Sequence, residues 1–260
     1  MRNALDIDVS ETRRQLVGDR DLFSPSELFH ENSKITAAAA HFTMSASAQV
    51  IAAKGFKRFQ HTQTDPLPRP GDCGASALAD AIASRRSCRA FNGQPVSLHD
   101  ISLLAFLTMG SQENGRRCLP SAGGLYPLDL YIAVGKADGL DPGLLHYDPL
   151  AHALSRLRFT DPIPAIREAV FIPEALDGAA AVFLITAIFG RSKIKYGERA
   201  YRFALLEAGH AMQNLLLAAT GQGLGACPVG GFMDDRLHDL LGVDGVEEAA
   251  LYAGIVGHPA

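Results

Sequence analysis

The chain has 260 residues, 47% of them hydrophobic, with a mean hydropathy of +0.07, so it can bury a full core in one or two domains. A net charge of -4 and a pI near 6.1, without a long basic run, argue against nucleic acid as a partner. Cys73, Cys88, Cys118 and Cys227 form no CxxC pair and no Cys/His cluster, which points to neither zinc nor a disulfide framework.

The first seventy residues read as a helical N-terminal extension, 1–70, ahead of a compact domain, 71–260. Met1 to Arg20 is too polar for a signal peptide. Ile35 to Ala53 is broken by His41, Ser45, Ser47 and Gln49, too polar to span a membrane, so a cytoplasmic protein is expected. Phe23-Ser-Pro-Ser-Glu-Leu-Phe carries a helix start, with Ser24 or Ser26 as cap, and leads into HENSK at His30 to Lys34. An alanine-rich helical stretch follows, and the proline-bearing connector Thr62 to Pro70 marks the boundary.

Leu78, Ala81 and Ile82 then give a short helix ending in SRRSCR. Arg85, Arg86 and Arg89, with Ser84 and Ser87, form a phosphate-sized group of forked cations and hydroxyls. Basic residues also suit any helix C-terminus through its dipole. Ser97 caps the next helix, with Asp100 three residues on. Pro120, Ser121, Ala122, Gly123 and Gly124 make a loop almost bare of side chains, open to close approach by a ligand, before an alternating strand from Leu128 to Val134. A hairpin turns at Asp148-Pro149, and Ala179 to Gly190 is a buried strand.

Lys195 and Tyr196, two groups able to move a proton, precede the long helix on which the domain is built. Tyr201, Ala204, Leu205, Ala208, Met212, Leu215, Leu216 and Ala219 fall at helical spacing, and Phe203, Leu206 and Leu217 are mixed into the opposite face. That pattern predicts burial on both sides, against the core and against a second surface. Gly221, Gly223 and Gly225 stop the helix, and a loop through Pro228, Val229, Gly230 and Gly231 offers backbone N–H groups to a flat ligand. Asp234 caps a short helix ending at Gly242, and Leu251 to Gly257 is a last strand. Strands and helices do not alternate strictly, which favours an α+β sandwich over a doubly wound sheet.

RRSCR, PSAGGLYP before a strand, QNLLLAATGQGLGACPVGGF and LYAGIVG, in this order, resemble the flavin-dependent nitroreductase fold. HENSK, the DP-turn hairpin and KYGERAYR resemble its SagB/McbC-type branch, the azoline dehydrogenases that make thiazoles and oxazoles in peptide natural products. The resemblance implies a mixed or antiparallel central sheet flanked by helices, in an intertwined homodimer with FMN at the subunit interface. It implies that Arg85, Ser87 and Arg89 hold the FMN phosphate and ribityl chain, and that Pro120, Ser121, Ala122 and Gly123 line the flavin from the other subunit. Pro228, Val229, Gly230 and Gly231 would present N–H groups near the flavin N5 edge, and Lys195 and Tyr196 match the branch's Lys-Tyr motif. A late Lys or Arg, common after the last strand in the family, is missing before Pro259-Ala260, so either Arg86 or another basic residue replaces it or phosphate binding is weaker.

Aromatising an azoline removes a proton from the ring Cα and a hydride equivalent from Cβ, which flavin N5 would take. Lys195 would serve as base only if desolvated or placed near cations such as Arg191, Lys193 and Arg199; alternatively Tyr196 accepts the proton as a phenolate stabilised by Lys195. Two other functions stay open. One is an NAD(P)H-dependent nitro- or quinone reductase, the other a non-catalytic FMN-binding subunit of a cyclodehydratase complex. The substrate would be peptide-borne or carrier-borne, with no metal, nucleic acid or membrane involved.

Overall fold

The computed structural model describes residues 24–36, 77–112 and 115–260. The alanine-rich stretch, the Thr62–Pro70 connector with its domain boundary, and Cys73 lie outside them. Seven helices are described: α1 (Pro25–Ser33), α2 (Ala77–Ser84), α3 (Leu98–Met109), α4 (Ile163–Ala169), α5 (Gly190–Tyr196), α6 (Arg199–Gly221) and α7 (Asp234–Leu241). The strands are β1 (Val96–Ser97), β2 (Leu128–Val134), β3 (Ala137–Asp138), β4 (Gly143–Asp148), β5 (Ala153–Arg158), β6 (Ala181–Ile188), β7 (Gly225–Val229) and β8 (Glu248–Gly257).

Six strands form one sheet in the order β5-β4-β2-β6-β8-β7, antiparallel at every pairing; β1 and β3 make a small parallel pair. The expected α+β architecture is therefore present. The central strand β6, Ala-Val-Phe-Leu-Ile-Thr-Ala-Ile, is apolar but for Thr186, whose hydroxyl donates to Glu248, because both its faces are covered. Phe183 and Ile185 point into a layer shared with α3 and α6, whereas Val182 and Leu184 point toward α4 and α7. Alternation along β2 sorts in the same way: Leu130 and Ile132 face α6, Tyr131 and Ala133 the other layer. Helix α6 lies tightly on β8. A Cβ at Gly254 would sit 2.5 Å from Leu215 Cδ2 and 3.2 Å from Met212 Sδ, so the missing side chain lets the layers meet.

Local signals explain the element ends. Ser24 and Ser97 each close a reciprocal capping box, with Glu27 and Asp100 respectively. Three expectations need correction. Asp234 is the first helical residue of α7 rather than its cap: its carboxylate instead accepts from Ile35 N–H at 3.0 Å. Gly223 alone takes the left-handed turn after α6 (φ +71), while Gly225 already belongs to β7. Pro228 and Val229 are not loop but the end of β7, and proline is tolerated there because β7 is an edge strand.

Candidate active site

Lys195 and Tyr196 do not occupy a turn before the long helix. They form the last residues of α5, a seven-residue helix joined to α6 through Gly197 (φ +52) and Glu198. Tyr196 is half-buried and stacks edge-on against Phe203, with ring centroids 5.1 Å apart; Lys195 is exposed, its Nζ 5.2 Å from the Tyr196 ring centre.

The small-residue loop comes to this pair within the same chain. Gly123 has φ +62, and a Cβ built on it would lie 2.6 Å from Tyr196 Oη and 2.9 Å from Lys195 Nζ. A side chain there would need a left-handed backbone and would displace the tips of both side chains. The loop is fixed from beneath: Ala122 N–H donates to Glu207 Oε1 at 2.9 Å, and Tyr126 N–H donates to Ser121 Oγ at 2.9 Å. Gly123 is thus the residue of the 120–123 loop that meets the Lys195–Tyr196 pair, while Ala122 is held by Glu207.

Glu207 was not singled out from the sequence. It is 3% exposed, its Oε2 has no hydrogen-bond partner among the described residues, and burial holds its carboxyl above the usual range despite the Ala122 N–H. The signal was present: Glu207 is an acid within the helical face of Ala204, Ala208 and Ala211, where an isolated carboxylate is costly.

Of the cations expected to act on Lys195, two are already engaged. Arg191 pairs with Asp129 at 2.8 Å, and Lys193 with Glu27 at 3.1 Å. Burial would raise the Asp129 carboxyl, but His146 and Arg191 outweigh it and hold it low. Arg199 remains among the three named.

The second group of expected residues assembles elsewhere. Arg85 N–H closes α2 onto Ala81 O, so Arg85, Arg86 and Arg89 lie just past the helix end. The segment runs along the outer edge of β7, with Ser87 bridged in parallel to Ala226 and Cys88 N–H donating to Ala226 O at 2.9 Å. A Cβ on Gly225 would meet Cys88 Sγ at 2.6 Å, so the glycine admits this close approach. Among the described residues none of the three arginines makes an ion pair. Gly230 and Gly231 follow β7, beside Tyr252 and Phe171 respectively.

The two groups sit toward opposite ends of α6. Glu207 and Gly221 are separated by roughly 20 Å of helix at about 1.5 Å per residue. Among the described residues no hydrogen bond or ion pair joins the arginine segment to the Lys195 group.

Residues 82–258 match the nitroreductase family. The chain belongs to that family. It is 33% identical over 165 residues to MJ1384 of Methanocaldococcus jannaschii, a nitroreductase by name, covering 63% of this chain and 83% of that one. It is 29% identical to the trifolitoxin-processing protein TfxB of Rhizobium leguminosarum bv. trifolii, over 55% of this chain and 40% of TfxB. It is also 28% identical to the microcin B17-processing protein McbC of Escherichia coli, over 57% of each. The matched part thus spans about half the length of these two processing proteins. Among solved structures, a chain of the E. coli microcin synthetase McbBCD complex matches with a TM-score of 0.76 and 21% identity, over 92% of this chain and 95% of that chain. A nitroreductase-type protein from Desulfovibrio desulfuricans, solved in complex with FMN, matches with a TM-score of 0.52 and 22% identity over 72% of this chain and 88% of that one. Both structures share the fold.

Proposed function

We propose that this protein is an FMN-dependent dehydrogenase that oxidises thiazoline or oxazoline rings on a peptide or carrier-bound intermediate. The observation that carries the reading is the convergence of Gly123 with Lys195 and Tyr196, which sets two proton-active groups around a cradle without side chains. Kinship with the trifolitoxin-processing protein TfxB and the microcin B17-processing protein McbC supports a role in processing a natural product.

The residues present fit FMN. Arg85, Arg86 and Arg89, without an ion pair among the described residues, suit a phosphate, with Ser87 adding a hydroxyl. Gly230 and Gly231 leave backbone N–H groups approachable, and Pro120 to Gly123 give a bare surface for a planar ring. FMN, when bound, supplies the two-electron acceptor for the hydride equivalent. The protein's own share is the proton from the ring Cα. Either Lys195 Nζ takes it directly, or Tyr196 Oη takes it with Lys195 stabilising the phenolate. Because Lys195 is exposed in the single chain, its desolvation would come from bound flavin, substrate or a second subunit.

A homodimer completes the reading. Helix α6 leaves outward Leu206 (56% exposed), of the face expected to meet a second surface, and also Leu205 (41%), whose spacing places it on the core side, with open space above Gly209. Two such helices packed antiparallel would bring the arginine end of one subunit to the Lys-Tyr end of the other.

The family membership and the likeness to MJ1384 favour a second reading, an NAD(P)H-dependent nitro- or quinone reductase. The likeness to the McbBCD complex supports docking into a cyclodehydratase assembly, in the limit as a non-catalytic FMN-binding subunit. One experiment separates the three. Lys195→Ala and Tyr196→Phe should keep FMN while losing azoline oxidation by about 100- to 10,000-fold. NADH-quinone turnover without azoline oxidation would move the site to the reductase reading. Neither activity in a flavin-loaded wild-type protein would leave the scaffold.

A further inference from the structure

Helix α5, which carries Lys195 and Tyr196, has seven residues, too few to hold its own direction. Its first turn is tied to the sheet by Arg191 and Asp129. Its last turn and the joint to α6 are held by the N-terminal segment. Lys193 Nζ meets Glu27 Oε1 at 3.1 Å, and Ser26 N–H donates to Glu198 Oε2 at 2.8 Å. Lys195, Tyr196 and the Gly197 hinge lie between these two grips.

The same segment is fastened at its other side. His30, 5% exposed, joins Tyr201 Oη through Nδ1 at 3.1 Å and Gly245 O through Nε2 at 3.1 Å. Nε2–H therefore donates to the carbonyl, and Nδ1 accepts from the tyrosine. His30 also packs edge-on against Phe189, the residue preceding α5. Ile35 and Asp234 exchange two bonds of 3.0 Å each. The segment thus spans from the Lys-Tyr helix to α7 and the loop holding Gly245.

We propose that residues 24–36 form a strap that positions Lys195 and Tyr196, so that the N-terminal segment sets the activity of a site it does not line. The catalytic half of this statement rests on the azoline-oxidation reading. Glu27, Glu198 and His30 act as positioning residues, through Lys193, the Gly197 hinge and Tyr201. The Ser24–Glu27 capping box keeps the strap helical while Glu27 also reaches Lys193.

The test uses the full chain with FMN bound. Glu27→Gln removes the charge yet retains a capping-box side chain, and His30→Ala removes the second anchor. In the double variant, amide exchange across 191–198 should rise at least tenfold, while β6 and residues 204–220 of α6 stay as protected as before. Azoline kcat should fall about tenfold at unchanged KM and unchanged FMN content. Unchanged exchange in that stretch, or equal acceleration throughout the domain, overturns the strap. Local loosening with full kcat overturns its positioning role. The exchange measurement needs no substrate, so a wild-type protein inactive on azolines would remove the functional reading while the strap is still decided.

Discussion

At Gly123 a single missing methyl group keeps the site open. Alanine there would adopt a left-handed backbone at a cost of about 1–2 kcal/mol and would place its Cβ against Tyr196 Oη and Lys195 Nζ. Gly123→Ala should therefore lower azoline turnover at least tenfold, while the untouched arginine segment still holds the phosphate, so flavin should bind more weakly but remain detectable by absorbance at excess FMN. Glu207 and His238 give the molecule opposite pH responses. Burial holds the Glu207 carboxyl above its ordinary 4.5, so the folded state binds the extra proton and stability declines as pH rises from there through the raised value. His238, whose Nε2 accepts from Ala250 N–H, is held below its ordinary 6.5, first by burial and then by the Lys34 and His30 charges, against Asp234 and Asp244. Its contribution is present above 6.5 and declines as pH falls from there toward the lowered value. Thermal unfolding from pH 4 to 9 should show both slopes. Glu207→Gln should remove the decline that sets in as pH rises above 4.5, and a slope unchanged by that variant would exclude Glu207 as its source.

At the scale of elements, the legible ones carried their own local signals. Ser24 and Ser97 announced α1 and α3 through hydroxyl caps, and β2, β6 and β8 appeared through apolar runs of strand length. Helix α5 was missed because it starts at Gly190 without a side-chain cap and is held by contacts distant in sequence, to Asp129 and Glu27. In the sequence Pro228 reads as loop because proline breaks interior strands, and only the sheet order reveals that β7 is an edge. Lys195, Tyr196 and the 120–123 loop could each be picked out from residue type, but their meeting across the fold could not. The edge of β7 supports an expectation of its own. Arg85→Ala or Arg89→Ala should weaken FMN binding by about 1.5–3 kcal/mol, the range for a hydrogen bond to a charged group, measured by flavin fluorescence titration. The same variants should leave the fold intact, since both side chains lie outside the core. Unchanged affinity in both would assign these arginines to the α2 terminus alone. Between layers, Gly254→Ala should destabilise the domain by about 1–3 kcal/mol, as overpacking does, because α6 cannot retreat from β8 without disturbing Leu215 and Met212.

For the whole molecule, the outward face of α6 sets the expected assembly. Leu206→Glu should turn a dimer into a monomer in sedimentation velocity and release the flavin with it; a yellow monomer would show that one chain suffices. The placement of the two residue groups near opposite ends of α6 has a genetic consequence. If each site draws its arginines from one subunit and its Lys-Tyr pair from the other, two inactive proteins can repair one another. A protein carrying Arg85→Ala with Arg89→Ala, co-refolded in equal amounts with one carrying Lys195→Ala, would form hybrid pairs in about half of all dimers. Each hybrid would hold one doubly damaged site and one wholly intact site. The mixture should recover about a quarter of wild-type turnover, whereas sites built within single chains would recover none.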